Sequence, residues 1–189
     1  CCPTSAAQMA TGPMVVYRDR SPKEIRDIGF THRNDAGWSK PSTVHTDNWF
    51  FPGCPVNGPS IASHGDLVAI SRFTVSNNKA QVILRLSKTG KMKFGKEIVL
   101  DQDSPVGRCA TVFTKDAVFT VWIGHEGKQT ALQMAQVSPV GKIERRTTLA
   151  PIDSNRSSGM PRAVVSGGYL WVTWTGENRV RLGRLKIGA

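Results

Sequence analysis

Apolar residues come along this chain in short runs at regular intervals, and helical periodicity is nearly absent. The runs are "MVVY" at 14, "LVAISRF" at 67, "AVFTVWI" at 117 and "YLWVTW" at 169. Their matching positions, Tyr17, Arg72, Trp122 and Trp174, lie 55, 50 and 52 residues apart. A period near 50 residues with several strands in each unit predicts a β-propeller. Each unit opens on a strand of small and apolar residues: "PTSAAQM", "GPSIAS", "RCATVFT", "PRAVVSG". A tight turn and the apolar run follow, and then an alternating third strand: "EIRDIGFTHR", "AQVILRLS", "ALQMAQVS", "RVRLGRLK". A Gly-containing turn leads to a fourth strand in three units: "SKPSTVH", "GKEIVL", "RRTTLA". Alternation broken by turns every 8 to 12 residues or so is the pattern of antiparallel four-stranded blades.

The fold class expected is therefore all-β. The chain reads as a single partial propeller with blades near 1–50, 51–103, 104–154 and 155–189, first strands starting near 2, 56, 107 and 160, and no outer strand in the last. Ring-closed propellers commonly complete the last blade with a strand from the other chain end, which removes an open edge. The expectation is that about two blades and a closing strand precede residue 1 in a longer protein, and that those blades are a partner of this segment.

The turn between third and fourth strands repeats in degenerate form. "SKTGKMKF" (87–94) opens on Ser87 and ends on Phe94, "NDAGWSKP" (34–41) is shorter, with Asp35, Gly37 and Trp38, and "SPVGKI" (138–143) is a remnant. A Ser or Asp side chain bonds the backbone inside such a turn, and the aromatic pins it to the blade. Trp38 and Phe94 are accordingly expected to be largely buried. These turns resemble the Asp box, Ser-x-Asp-x-Gly-x-Thr-Trp/Phe, of sialidase-type propellers, with Thr89 and Lys91 where Asp and Gly belong. "YRDRSPKEIRDIGF" and "WSKPSTVHTDNWFFPGCPVNGPSIA" are similar to bacterial secreted sialidase-like proteins of this repeat class, "GCPVNGP" (53–59) being the most specific piece. The resemblance covers essentially the whole chain. It implies a ring of about six blades, export to the periplasm or beyond, and an acidic small molecule or glycan as ligand.

A sialidase requires an arginine cluster for the substrate carboxylate, an Asp acid/base, and a Tyr made nucleophilic by a Glu. Arg18, Arg72, Arg108 and Arg162 recur near strand ends, and at least two are expected to border one channel-side pocket; salt bridges between blades are the alternative role. Asp19 and Asp27, each following an arginine, are the acid candidates, with strand-end ion pairing as the alternative. Tyr17 and Tyr169 are the only tyrosines, both inside strand runs, and neither has a Glu matching the family's nucleophile pair. An "RIP" segment around a first arginine is missing, and "MPR" (160–162) is its nearest counterpart.

Composition adds three points. The 189 residues carry a net charge of +11, which favours polyanionic partners, but the basic residues are scattered, as no specific nucleic-acid module has them. No run of about 18 apolar residues predicts a membrane span, and neither an initiator Met nor a leader pattern is visible. His32, His45, His64 and His125 show no metal-ligand spacing, while "HTDNW" (45–49) is a loop that either stacks on sugar or simply connects blades. No cofactor is expected. Cys1, Cys2, Cys54 and Cys109 include no C-x-x-C pair. Cys2 and Cys54 precede first strands of adjacent units, so a disulfide, a soft-metal site with Cys1, and inert thiols all stay open. Three functions follow: a glycan-binding sialidase-like propeller, an exo-α-sialidase with groups in preceding blades, and a protein-interaction propeller.

Overall fold

A computed structural model of the chain describes residues 3–88 and 91–187. It is a β-propeller built from consecutive antiparallel sheets. The first sheet holds β1 (Ser5–Met9), β2 (Gly12–Arg18), β3 (Ile28–Asn34), β4 (Gly37–Trp38) and β5 (Ser42–His45). The second holds β6 (Ser60–His64), β7 (Leu67–Ser76), β8 (Lys79–Lys88) and β9 (Ile98–Asp101). The third holds β10 (Gly107–Phe113), β11 (Val118–Glu126), β12 (Gln129–Val137) and β13 (Ile143–Pro151). The fourth has three strands, β14 (Arg162–Ser166), β15 (Tyr169–Gly176) and β16 (Arg179–Lys186). The single helical turn among the described residues is a 3-10 segment, Arg156–Ser158.

Burial explains why the second strands differ in character. β7 and β11 are buried at nearly every position, whereas β2 and β15 alternate. A blade sandwiched between two others must be apolar on both faces; one with a single covered face needs only every second residue apolar. Three buried clusters fill the three successive blade interfaces. Met14, Val16, Ile28, Phe30, Val68 and Ile70 join the first and second sheets. Phe73, Leu84, Leu100, Val118 and Trp122 join the second and third, and Phe119, Ile123, Leu132, Leu170 and Val172 join the third and fourth. Each fully buried Val, Leu or Ile contributes about 1.5–3 kcal/mol relative to exposure. Val164, Val180 and Leu182, on the far face of the fourth sheet, are exposed.

Both turn aromatics are less buried than expected, Trp38 by far the more so. Ser87 Oγ donates to the Lys93 carbonyl (2.9 Å), folding the turn back, and Phe94 meets the Phe30 ring of the neighbouring blade edge-on at 5.5 Å. Phe94 is half-buried there. Trp38, expected to be buried, is 56% exposed. The four-residue turn Asn34–Gly37 is too short to swing its aromatic back onto the sheet. β4 pairs only through Arg33–Trp38 and Asn34–Gly37, and the outer strand breaks at Ser39–Pro41 before resuming as β5.

Candidate functional site

The leading ends of all four inner strands converge on one cleft of about 170 Å³. Thr4 and Ser5, Ser60, Thr111 and Arg162 line it, with Met160 and Cys109 supplying apolar contact. Hydroxyls and one guanidinium are thus its polar groups, and no carboxylate stands among its described lining residues. Arg162 is exposed and forms no ion pair among the described residues. Burial pushes the Cys109 thiol up to about 12, so it stays neutral beside the cleft.

At least two of Arg18, Arg72, Arg108 and Arg162 were expected to border one channel-side pocket, and Arg162 alone lines this cleft. Arg18 and Arg72 sit on second strands, β2 and β7, whose side chains face neighbouring blades rather than the centre. Arg18 donates to the carbonyls of Asn57 and Phe73, the latter at 2.6 Å, and its guanidinium lies 4.8 Å over the Trp49 ring. Arg108 is on an inner strand, but a bulge between Gly107 and Ala110 turns it away. It adopts a left-handed φ of 57° and spans to the Asn155, Gly159 and Ser154 carbonyls of the next connection. Burial and the nearby Arg156 lower its pKa. These three arginines are struts between blades.

Arg72 forms the strongest of these struts. Its side chain is wholly buried, with Nε 2.8 Å from Asp47 Oδ2, and Nη2 2.8 Å from both Asp47 Oδ1 and Glu97 Oε1. Arg85 Nη2 reaches Glu97 Oε1 at 3.1 Å, and His45 Nδ1 lies 2.7 Å from Asp47 Oδ1. Burial alone would raise the Asp47 pKa, but the hydrogen bonds and charge of Arg72 hold it at about 2. His45, expected to be isolated, is joined here to two carboxylates, whose ligand atoms lie within 4.8 Å of one another. The two arginines already supply the positive charge a cation would bring, so the group reads as a closed ion network.

The remaining candidates are dispersed. Asp27 accepts from the Asn48 and Trp49 amides, and Asp19 from the Arg20 amide at 2.8 Å. Asp19 is thus a local backbone cap in the long β2–β3 connection, while Asp27 ties that connection to the segment that follows β5. Tyr17 packs its ring against Gly29, where an added Cβ would lie 2.7 Å from Tyr17 Cζ. Burial, helped by the Asp19 charge, pushes its phenol up, opposite to what a nucleophile needs. Cys1 and Cys2 lie outside the described residues, and Cys54 is half-buried. Asn57, inside "GCPVNGP", is a residue whose importance the sequence did not reveal. Its Oδ1 accepts from the Arg108 amide (2.6 Å) and its Nδ2 donates to the Val106 carbonyl (3.0 Å). Gly58 beside it must lack a side chain, because a Cβ would fall 2.1 Å from the Pro3 carbonyl oxygen.

The chain matches no protein-family model and no curated protein sequence. It is similar in fold to solved glycoside hydrolases. A GH43_1 enzyme from Xanthomonas citri superposes with a TM-score of 0.58 at 8% identity, over 97% of this chain and 70% of that one. The catalytic domain of the GH62 alpha-L-arabinofuranosidase of Coprinopsis cinerea gives 0.54 at 12% identity, over 96% and 71%. The GH32 beta-fructofuranosidase of Bombyx mori gives 0.52 at 12%, over 92% of this chain and 42% of that one.

Proposed function

We propose that this chain is a glycan-binding β-propeller of the sialidase-like kind, exported from the cytoplasm, which takes a carboxylate-bearing sugar in the cleft at the leading ends of its inner strands. The observation that carries the reading is the cleft's lining. One guanidinium, Arg162, without an ion pair among the described residues, stands among the hydroxyls of Thr4, Ser5, Ser60 and Thr111. A guanidinium binds a carboxylate bidentately, and hydroxyls serve a sugar's hydroxyls as donor or acceptor. At about 170 Å³ the cleft is smaller than the roughly 300–1,000 Å³ of drug-sized sites, so it suits one terminal sugar rather than an extended chain. The net charge of +11 steers acidic glycans toward the protein. Likeness in fold to glycoside hydrolases is compatible with a carbohydrate ligand but argues fold, not activity.

Binding rather than hydrolysis is the reading because the acid pair of ordinary glycosidases has no counterpart in the cleft's described lining. Tyr17, the nucleophile candidate, is neither in the cleft nor activated. A glycan array spanning sialylated, uronate-bearing and neutral structures tests the reading, together with a fluorogenic sialoside. Retention of carboxylate-bearing glycans without turnover is expected. Turnover would replace it with an exo-α-sialidase, and an array without acidic hits would replace it with a protein-interaction propeller.

A further inference from the structure

A carboxylate recurs just past the outer strand of each complete blade: Asp47 after β5, Asp101 at the end of β9, Asp153 after β13, with spacings of 54 and 52 residues. Facing each from the second strand of the next blade is Arg72, Trp122 or Trp174. At the first interface the pair closes, with Arg72 bidentate on Asp47 at 2.8 Å. At the second it closes too, Trp122 Nε1 donating to Asp101 Oδ2 at 2.6 Å, both groups buried. Gly124 makes that bond possible, because a Cβ there would sit 2.6 Å from Asp101 Oδ2 and 2.9 Å from Trp122 Nε1.

At the third interface the same parts are present and the bond is not made. Gly176, the counterpart of Gly124, keeps the notch beside the indole nitrogen, 3.5 Å from Trp174 Nε1. The three atoms nearest that notch belong to Trp174 and Arg181, with no carboxylate oxygen among them. Neither the Asp153 carboxylate nor Trp174 Nε1 has a hydrogen-bond partner among the described residues. Both border one open hollow of about 620 Å³, which Thr130, Gln129, Glu177 and Arg181 also line. The indole itself lies against β16, where Gly183 leaves room for it: a Cβ there would be 3.2 Å from Trp174 Cη2.

The geometry points to a second binding site, one for a neutral sugar unit, in this hollow between the third and fourth blades. A sugar hydroxyl replaces the missing contact, accepting from Trp174 Nε1 while a hydroxyl of the same ring donates to Asp153. The C–H face of the ring covers indole surface, the amphipathic match that aromatic side chains offer. The sugar is neutral because Asp153 and Glu177 place two carboxylates on the hollow, against the single guanidinium of Arg181, which is already paired with Glu177. An acidic sugar is repelled here and attracted by Arg162, so the two sites take opposite classes of ligand. This inference does not depend on the cleft reading.

The test is isothermal titration of the intact chain with xylotriose, cellotriose and arabinotriose at millimolar concentration. Saturable binding of at least one is expected. Asp153→Asn and Trp174→Phe should each weaken it about tenfold, the scale of one lost hydrogen bond, while Arg162→Gln leaves it unchanged. Gly176→Ala, which fills the notch without touching the core, should do the same as Trp174→Phe and serves if the latter fails to fold. Melting temperatures within about 2 °C of the parent certify folding. Failure of all three trisaccharides to bind, or parental affinity in Asp153→Asn and Gly176→Ala, overturns the site whatever Arg162 does.

Discussion

Replacing Arg72 by Leu removes the cation from the buried network between the first two blades while keeping an apolar side chain of useful size. Asp47 loses both of its 2.8 Å bonds to the guanidinium, and Glu97 loses one. The Asp47 side chain is only 2% exposed, so water cannot take over. Removing one member of a buried pair costs about 3–5 kcal/mol, because the other charge stays behind uncompensated. The pH dependence carries a distinct signature. In the parent, Asp47 titrates at about 2, below its ordinary 3.8, so its stabilising contribution is present above pH 4 or so and is lost as pH falls toward 2. Without Arg72, burial dominates and raises the Asp47 pKa above its unfolded value. The variant's penalty then grows as pH rises and is relieved on acidification. Urea denaturation followed by tryptophan fluorescence at pH 7 and pH 4 should show the stability gap narrowing by at least about 1 kcal/mol at the lower pH, given ~1.4 kcal/mol per pKa unit. A gap below about 1 kcal/mol at pH 7, or one equal at both pH values, refutes the buried-pair account.

Other consequences are checked by the same unfolding assay. Trp122→Phe leaves the buried Asp101 carboxylate without its indole donor and should cost about 1–3 kcal/mol. Asn57→Ala strips the Arg108 amide and the Val106 carbonyl of partners and should cost a similar amount, about 1–3 kcal/mol. Phe94→Ala should destabilise by about 1–3 kcal/mol through lost packing on Phe30, while Trp38→Ala stays within about 0.5 kcal/mol, the range for exposed positions. Cys109, buried and titrating at about 12, should resist iodoacetamide at neutral pH until the chain unfolds; rapid alkylation of the native protein at Cys109 would contradict its placement.

The fold was legible because a blade is a local unit: its hairpins and period-two pattern are written in about 50 consecutive residues, and four copies reinforce one another. The site was less so, for identifiable reasons. Arg18 and Arg72 carry the right chemistry at recurring spacing, but spacing alone does not separate a second-strand residue facing a neighbouring blade from an inner-strand residue facing the centre. Arg108 does lie on an inner strand, but the bulge at Gly107, with its φ of 89°, turns it into the buried contact with the 154–159 connection. The Asp47, Asp101 and Asp153 series was present in the sequence at near-constant spacing. Its role is not legible there because Asp47 and Asp101 act on the following blade, a contact that no alignment of units against themselves displays. Trp38 projects because its turn, Asn34–Gly37, is much shorter than the one that returns Phe94 to the neighbouring blade, a difference the shared residue types do not display.

Titration of 3′-sialyllactose into the parent and into Arg162→Gln asks whether Arg162 is the group that takes the carboxylate of an acidic sugar in the inner-strand cleft. The expected result is saturable binding by the parent that weakens from low to high salt, as a solvent-accessible ion pair is screened, and a loss of about tenfold or more in Arg162→Gln, the scale of one charge-assisted contact. Binding of equal strength in the two proteins, or none in the parent at low salt, contradicts it.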